Sequence, residues 1–225
     1  MSTTNALLKD RLVRITMSMC AFSSLFFLFL IFVFILIEGL PLFYRVGLLN
    51  IIAGFKWAPT KGHFGIFPMI VSSFLVTCGA LLVGGPLGLA CAVYLAEYAG
   101  KKKKLFLKPA LELLAGIPSV VYGFLGVLYI IPVIRTYWGG SGFSLLAASL
   151  VLGIMILPTV ISISYDSLMS VPRAYREGSL AMGATKWQTT YRVVMPAATS
   201  GILASFILGM GRAIGETMAV IMVAG

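Results

Sequence analysis

The chain has 225 residues, of which 60% are hydrophobic and 11% are charged, and its formal net charge is +10. Soluble domains carry about 25% charged residues, so a water-soluble fold is excluded because it would leave too much apolar surface exposed. The basic residues lie between apolar runs and not on one soluble face, which excludes nucleic-acid binding and indicates a protein embedded in membrane lipid.

Five apolar stretches are long enough to cross a bilayer, because a helix of about 20 residues spans the hydrocarbon core. The first lies in a run without charges between Arg14 and Glu38, which is longer than the apolar region of a cleaved signal peptide. The second contains Gly84-Gly85-Pro86, which predicts a kink. The pattern predicts an all-α fold, a polytopic transmembrane helical bundle with one domain over residues 1–225. We place the spans near residues 15–37, 70–95, 111–134, 142–165 and 197–222.

The distribution of lysine and arginine between the loops predicts the orientation of the spans. Twelve basic residues lie on one side and four on the other, and cytoplasmic loops carry the excess. The N-terminus is therefore predicted to be cytoplasmic, and the lysine run that begins at Lys101 is interpreted as an anchor at the membrane surface. The twelve are Lys9, Arg11, Arg14, Lys101–Lys104, Lys108, Arg173, Arg176, Lys186 and Arg192, and the four are Arg45, Lys56, Lys61 and Arg135.

The residue types that catalyse reactions or bind metals are sparse and scattered. The three cysteines, Cys20, Cys78 and Cys91, lie inside apolar runs and fit no metal or redox spacing. His63 is the single histidine, and the sequence has no Gly-x-x-x-x-Gly-Lys-Ser/Thr phosphate loop. We therefore expect no catalytic residue, no metal site and no cofactor bound by this chain, which is not predicted to be an enzyme.

The predicted cytoplasmic loop 166–196 has the capping residues of two short helices. Ser170 is predicted to cap the first helix, and Gly183 to end it in a left-handed turn. Thr185 and Gln188 have the spacing of a capping box at the start of the second helix. Capping alone leaves two interpretations open, a plain helical linker between two spans or a surface for a partner.

The order of residues in this loop favours a partner surface. Glu177, Gly183 and Pro196 match the spacing of the EAA signature of ABC importer permeases, which runs Glu-Ala-Ala, three residues, Gly, nine residues and Ile-x-Leu-Pro. Four positions carry replacements: Gly178 and Ser179 for the alanines, Val193 and Met195 for Ile and Leu. The resemblance implies a coupling helix that docks on a separate ATPase subunit, which uses the ATP. The residues assigned to ATPase coupling are Glu177, Gly178, Ser179, Ala181 and Gly183.

The last predicted span contains a charged pair, Arg212 and Glu216. A charge at mid-bilayer costs about 2.5–3.5 kcal/mol on insertion scales, so such residues face a protein interior or a water path. The spacing of four residues predicts that both lie on one helical face. Three glycines lie nearby, Gly209, Gly211 and Gly215. Two interpretations follow, a satisfied pair that packs helices closely or an anion pathway in which Arg212 attracts the substrate and Glu216 balances or gates it.

Several segments resemble the PstC-type phosphate permease family. The strongest is Arg-Ala-Ile-Gly-Glu-Thr-Met-Ala-Val, Arg212–Val220, and the others are Phe64–Pro68, Pro86–Gly88, Tyr94–Glu97 and Gly116–Gly123. The resemblance implies a type I ABC importer permease fold in the bacterial cytoplasmic membrane. It also implies transport of inorganic phosphate, with Arg212, Glu216 and Thr217 in the substrate pathway.

The same resemblance implies a set of partners. These are a PstA-like permease in a heterodimer, a PstB-like ATPase dimer and a PstS-like extracytoplasmic phosphate-binding protein. The family has six spans, so the five counted here lead us to expect that the sixth is missing. The alternatives are a permease for sulfate or molybdate, and a truncated permease with only a structural or assembly role. A secondary transporter is disfavoured because the sequence has no inverted repeat.

Overall fold

The computed structural model describes the backbone of residues 2–225 and the side chains of residues 10–225. The side chain of Lys9, which contributes to the predicted orientation, lies outside the described residues. The chain forms two compact units, one that ends at Met69 and a second that comprises Ile70–Gly225.

The first unit combines one long helix with a small hairpin. Its elements are α1 (Ser2–Val46), α2 (Leu48–Ala53), β1 (Trp57–Ala58) and β2 (His63–Phe64). The two short strands pair antiparallel and are joined by a 3₁₀ turn that ends at Gly62, whose φ is 75°. Large apolar side chains such as Phe22 and Phe34 are exposed along α1, which is the surface that lipid would cover.

All regular secondary structure in the second unit is helical. Its helices are α3 (Phe67–Val93), α4 (Lys101–Ala115), α5 (Ser119–Leu125), α6 (Ile131–Trp138), α7 (Leu145–Ser170), α8 (Arg173–Ala181), α9 (Lys186–Thr189), α10 (Met195–Ala197), α11 (Thr199–Ile214) and α12 (Met218–Ala224). Three π-helical turns extend or join these helices, at Tyr94–Tyr98, Gly126–Ile130 and Thr190–Val194. The predicted helical bundle is confirmed, and the small hairpin of the first unit is the only strand pair among the described residues.

Four helical segments are long and apolar enough to cross a membrane. They are Asp10–Val46, Phe67–Tyr98, Ser119–Trp138 and Leu145–Ser170. A fifth span results if Lys186–Ala197 and Thr199–Ile214, which meet at an angle of 70°, are taken together.

The third and fifth spans differ from the expected ranges 111–134 and 197–222. Residues 111–115 belong to the lysine-rich α4, and the chain is not helical again until Ser119. Pro118 explains this break, because proline has no backbone N–H and disfavours helical geometry at Ile117. In the last span, α11 ends at Ile214 and α12 begins at Met218, so residues 197–222 are not one continuous helix.

The core of the second unit is built around α7. Leu152, Met155 and Ile156 of this helix are almost fully buried. α3 remains helical through Gly84-Gly85-Pro86, where a kink is predicted from the sequence. A Cβ atom on Gly84 would lie 2.5 Å from the carbonyl oxygen of Gly153, so the glycine allows α3 and α7 to approach closely.

Candidate functional site

The first helix of the hairpin formed by α8 and α9, which lies in the predicted cytoplasmic loop, begins without a side-chain cap. The prediction that Ser170 caps this helix is wrong, because Ser170 is the last residue of α7 and its Oγ donates to the carbonyl of Ser167 at 2.7 Å. Pro172 occupies the capping position instead. Proline is tolerated there since its preset φ suits a helix start and no N–H is needed.

The turn and the second helix of the hairpin follow the sequence prediction. Gly183 has a φ of 83°, which confirms the left-handed turn. The backbone N–H of Gln188 donates to Oγ1 of Thr185 at 3.3 Å, and the N–H of Thr185 donates to Oε1 of Gln188 at 2.8 Å. This is the predicted capping box. A hydrogen bond of 2.9 Å between the hydroxyls of Ser179 and Thr189 closes α8 against α9.

The residues assigned to ATPase coupling divide into two groups. Glu177, Gly178, Ala181 and Gly183 are exposed on the hairpin, whereas Ser179 is half-buried and holds the hairpin together. The predicted coupling set therefore combines one internal contact, Ser179, with four surface residues.

An exposed apolar surface accompanies these residues and was missed from the sequence. Met182 is 89% exposed beside the glycine turn, and Tyr175, Leu180 and Trp187 are also exposed. Apolar side chains at the periphery of a polar hairpin are typical of a protein–protein contact. Trp187 is further held by parallel stacking on Tyr191, with ring centroids 6.3 Å apart.

An ion pair joins α8 to the end of α3 and was also missed. Nε and Nη2 of Arg176 donate to Oε1 of Glu97 at 3.0 and 2.8 Å. The side chains are only 19% and 9% exposed, respectively. Because the two residues are 79 positions apart, no local pattern in the sequence connects them.

Arg212 lies in the last turn of α11 and is held by neutral groups. Its Nη1 donates to Oγ1 of Thr159 on α7 at 3.0 Å. Its Nη2 donates to the carbonyl of Ala115 at 3.5 Å, at the C-terminal end of α4, where unpaired carbonyls favour a cation. Arg212 is half-buried. Neither Thr159 nor Ala115 was predicted as a partner.

Glu216 does not share a helical face with Arg212, because α11 ends between them. Its Oε1 accepts the backbone N–H of Ala219 at 3.1 Å, in the first turn of α12. It also lines a cavity of about 110 Å³ together with Ser73 and Thr77 of α3. Among the described residues there is no ion pair between Arg212 and Glu216, and Thr217 is exposed at the start of α12.

The three glycines near the charged residues differ in their surroundings. A Cβ atom on Gly209 would lie 3.1 Å from Val160, so this position serves close packing of α11 on α7. Gly211 has open space around it, and the nearest neighbours of Gly215 are backbone oxygens of the preceding helix, α11. Close approach of two helices therefore explains only Gly209 among these three glycines.

Comparison with known proteins supports the fold and the family. Residues 84–225 match the family described as "Binding-protein-dependent transport system inner membrane component". The chain is 42% identical over 217 residues to the Bacillus subtilis "Probable ABC transporter permease protein YqgH", with 94% of this chain and 70% of that protein aligned. It is 31% identical over 209 residues to the Xylella fastidiosa "Phosphate transport system permease protein PstC", which covers 84% of this chain.

The chain spans 62% of the length of that PstC protein, somewhat less than two thirds. Among solved structures, a chain of the inward-facing MetNI methionine ABC transporter aligns with a TM-score of 0.52. The alignment covers 67% of this chain and 68% of that chain at 22% identity, which is a likeness of fold. The type I permease fold, the apolar helices and the match over residues 84–225 together show that the chain belongs to the family of binding-protein-dependent transport inner membrane components, the multi-pass permeases of ABC importers.

Proposed function

We propose that the chain is the permease subunit of an ATP-driven importer of inorganic phosphate and forms half of its translocation pathway. The observation that carries the proposal is the state of Arg212, a half-buried guanidinium in an apolar helix whose hydrogen-bond partners, a hydroxyl and a carbonyl, are both neutral. The similarity to PstC supports phosphate as the substrate.

Arg212 has the chemistry for a transient phosphate contact. A guanidinium stays charged and presents five N–H donors in a planar fork that matches an oxyanion. Thr159 and the carbonyl of Ala115 orient this fork without neutralising it, so the positive charge remains available to an anion. Glu216 and Thr217 follow at the break between α11 and α12, where we propose that they border the same pathway.

The energy for transport comes from a separate ATPase in this proposal. The exposed surface of α8 and the glycine turn, with Glu177 and Met182, is the docking site for an ATPase dimer. A PstA-like permease forms the second half of the pathway, and a PstS-like binding protein delivers phosphate from outside the cytoplasm. The N-terminus is cytoplasmic, consistent with the distribution of lysine and arginine between the loops.

The test measures uptake of radioactive phosphate by the assembled importer in proteoliposomes supplied with ATP. We expect Arg212→Ala to reduce uptake at least a hundredfold without loss of assembly, and Arg212→Lys to reduce it less because the charge is retained. Arg135→Ala, at an exposed position in α6, is the matched control and is expected to transport normally. Normal uptake by Arg212→Ala would contradict the assigned role.

The same assay identifies the anion. Excess unlabelled phosphate is expected to compete with uptake, whereas sulfate and molybdate at the same concentration are not. If sulfate or molybdate competed as well as phosphate, the importer would be assigned to another oxyanion.

A further inference from the structure

The coupling helix α8 is attached to the rest of the chain by polar contacts. None of its nine residues is buried, so apolar packing does not hold it in place. Two of its side chains reach inward: Ser179, which bonds to Thr189 in the neighbouring short helix, and Arg176. Of these, Arg176 makes the connection towards the long helices.

Four hydrogen bonds join the guanidinium of Arg176 to three groups. Nε and Nη2 donate to Oε1 of Glu97, which follows α3. Nη1 donates to the carbonyl of Val171 and Nη2 to the carbonyl of Leu168, both at 2.7 Å. These carbonyls lie at the C-terminal end of α7, where helical partners are lacking. One side chain of α8 therefore binds the ends of two long helices at once.

The backbone around Glu97 is shaped for this contact. Glu97 lies in the π-helical turn Tyr94–Tyr98, in which the N–H of Ala99 donates to the carbonyl of Tyr94 at 2.8 Å. A π turn accommodates one extra residue, and each residue of an α-helix rotates the side-chain direction by about 100°. The π turn therefore changes the directions of the side chains in this segment relative to a regular α-helix. π-helical turns in otherwise regular helices are frequent at functional sites.

We infer that the Glu97–Arg176 ion pair is the positioning link that transmits movement of the docked coupling helix to α3 and α7. The inference rests on the proposed function, because it assigns the link to energy coupling between an ATPase and the permease. The low exposure of both side chains distinguishes this link from a surface pair, which solvent would weaken. Arg176 and Glu97 are positioning residues and do not contact the substrate.

The test uses the reconstituted importer and measures phosphate uptake and ATP hydrolysis in the same vesicles. The variants are Glu97→Gln, Arg176→Gln and the double variant. We expect each single variant to lower the phosphate taken up per ATP hydrolysed at least tenfold, while the ATPase still co-purifies. Because the two groups act as one link, the double variant is expected to be no worse than either single variant.

The chain provides a matched control in a second ion pair. Lys108 and Asp166 are 3.7 Å apart, with side chains 53% and 62% exposed, so this pair is a surface contact. Asp166→Asn is expected to leave the ratio of uptake to hydrolysis unchanged. A drop as large as that of Glu97→Gln would show that the assay responds to any loss of charge and would overturn the assignment.

A milder variant guards against loss of folding. Arg176→Lys keeps the positive charge but not the planar fork, so it cannot make all four contacts. We expect its ratio to lie between those of the wild type and Arg176→Gln. A wild-type ratio in Arg176→Lys and Glu97→Gln, or additive losses in the double variant, would overturn the inference. If the wild-type importer takes up no phosphate, the proposed function itself is wrong, which is a distinct result.

Discussion

Replacement of Gly84 by alanine tests whether the close approach of α3 and α7 determines the stability of the second unit. The new Cβ atom would lie 2.5 Å from the carbonyl oxygen of Gly153 and 2.7 Å from Cγ1 of Ile156. The first of these is a backbone atom, which cannot turn aside as a side chain can. Overpacking of this kind costs about 1–3 kcal/mol.

Gly211→Ala is the matched control, because Gly211 is also helical and nothing lies within 4 Å of its added Cβ atom. Alanine is favoured over glycine in a helix by about 0.5–1 kcal/mol, and this gain is common to both variants. We therefore expect Gly84→Ala to have a free energy of unfolding about 1–3 kcal/mol below that of Gly211→Ala. The assay is unfolding of the purified chain in detergent micelles by increasing dodecyl sulfate, followed by tryptophan fluorescence. Equal free energies for the two variants would refute the reasoning.

Three further changes test the hairpin and the arginine site. Glu177→Ala removes an exposed carboxylate without an intramolecular partner among the described residues, so we expect weaker co-purification of the ATPase with unchanged thermal unfolding. Gly183→Ala forces a side chain into the left-handed region at a cost of about 1–2 kcal/mol. Limited proteolysis should therefore cleave the hairpin faster in this variant, whereas Gly178→Ala, within α8, should not speed cleavage. Thr159→Val removes the hydroxyl that orients Arg212, so the KM for phosphate should rise severalfold with little change in stability; an unchanged KM would contradict the orienting role.

Features that depend on a few consecutive residues could be predicted from the sequence. The left-handed Gly183 and the capping box of Thr185 and Gln188 involve neighbours at most three residues apart. Local chemistry decides these features, since a cap needs a side-chain oxygen near free N–H groups. The membrane-crossing helices were found for a similar reason, because an apolar run of sufficient length is a local property of the chain.

Features that depend on tertiary contacts could not be predicted. Arg176 and Glu97 are 79 residues apart, and Arg212 is 97 residues from Ala115.

The third span was expected to begin near residue 111, because leucines continue across the boundary between α4 and the next helix. Pro118 indicated the break in the helix, but the prediction gave more weight to the length of the apolar run. Ser170 was taken for a cap because its type and position are right, yet α7 extends through it.

The two arginines with the most contacts illustrate how charge pairing separates structure from function. Arg176 faces the carboxylate of Glu97, so its charge is neutralised and it holds helices together. Arg212 is held by a hydroxyl and a carbonyl, which orient the guanidinium but leave its charge uncompensated. A fixed anionic partner at Arg212 would compete with a travelling anion, whereas neutral partners let an anion bind and leave. Conversely, without Glu97 the charge of Arg176 would lose solvation and gain no attraction to a carboxylate in return. The placement of one carboxylate, Glu97, therefore supports the proposed positioning role of Arg176 and the proposed substrate role of Arg212.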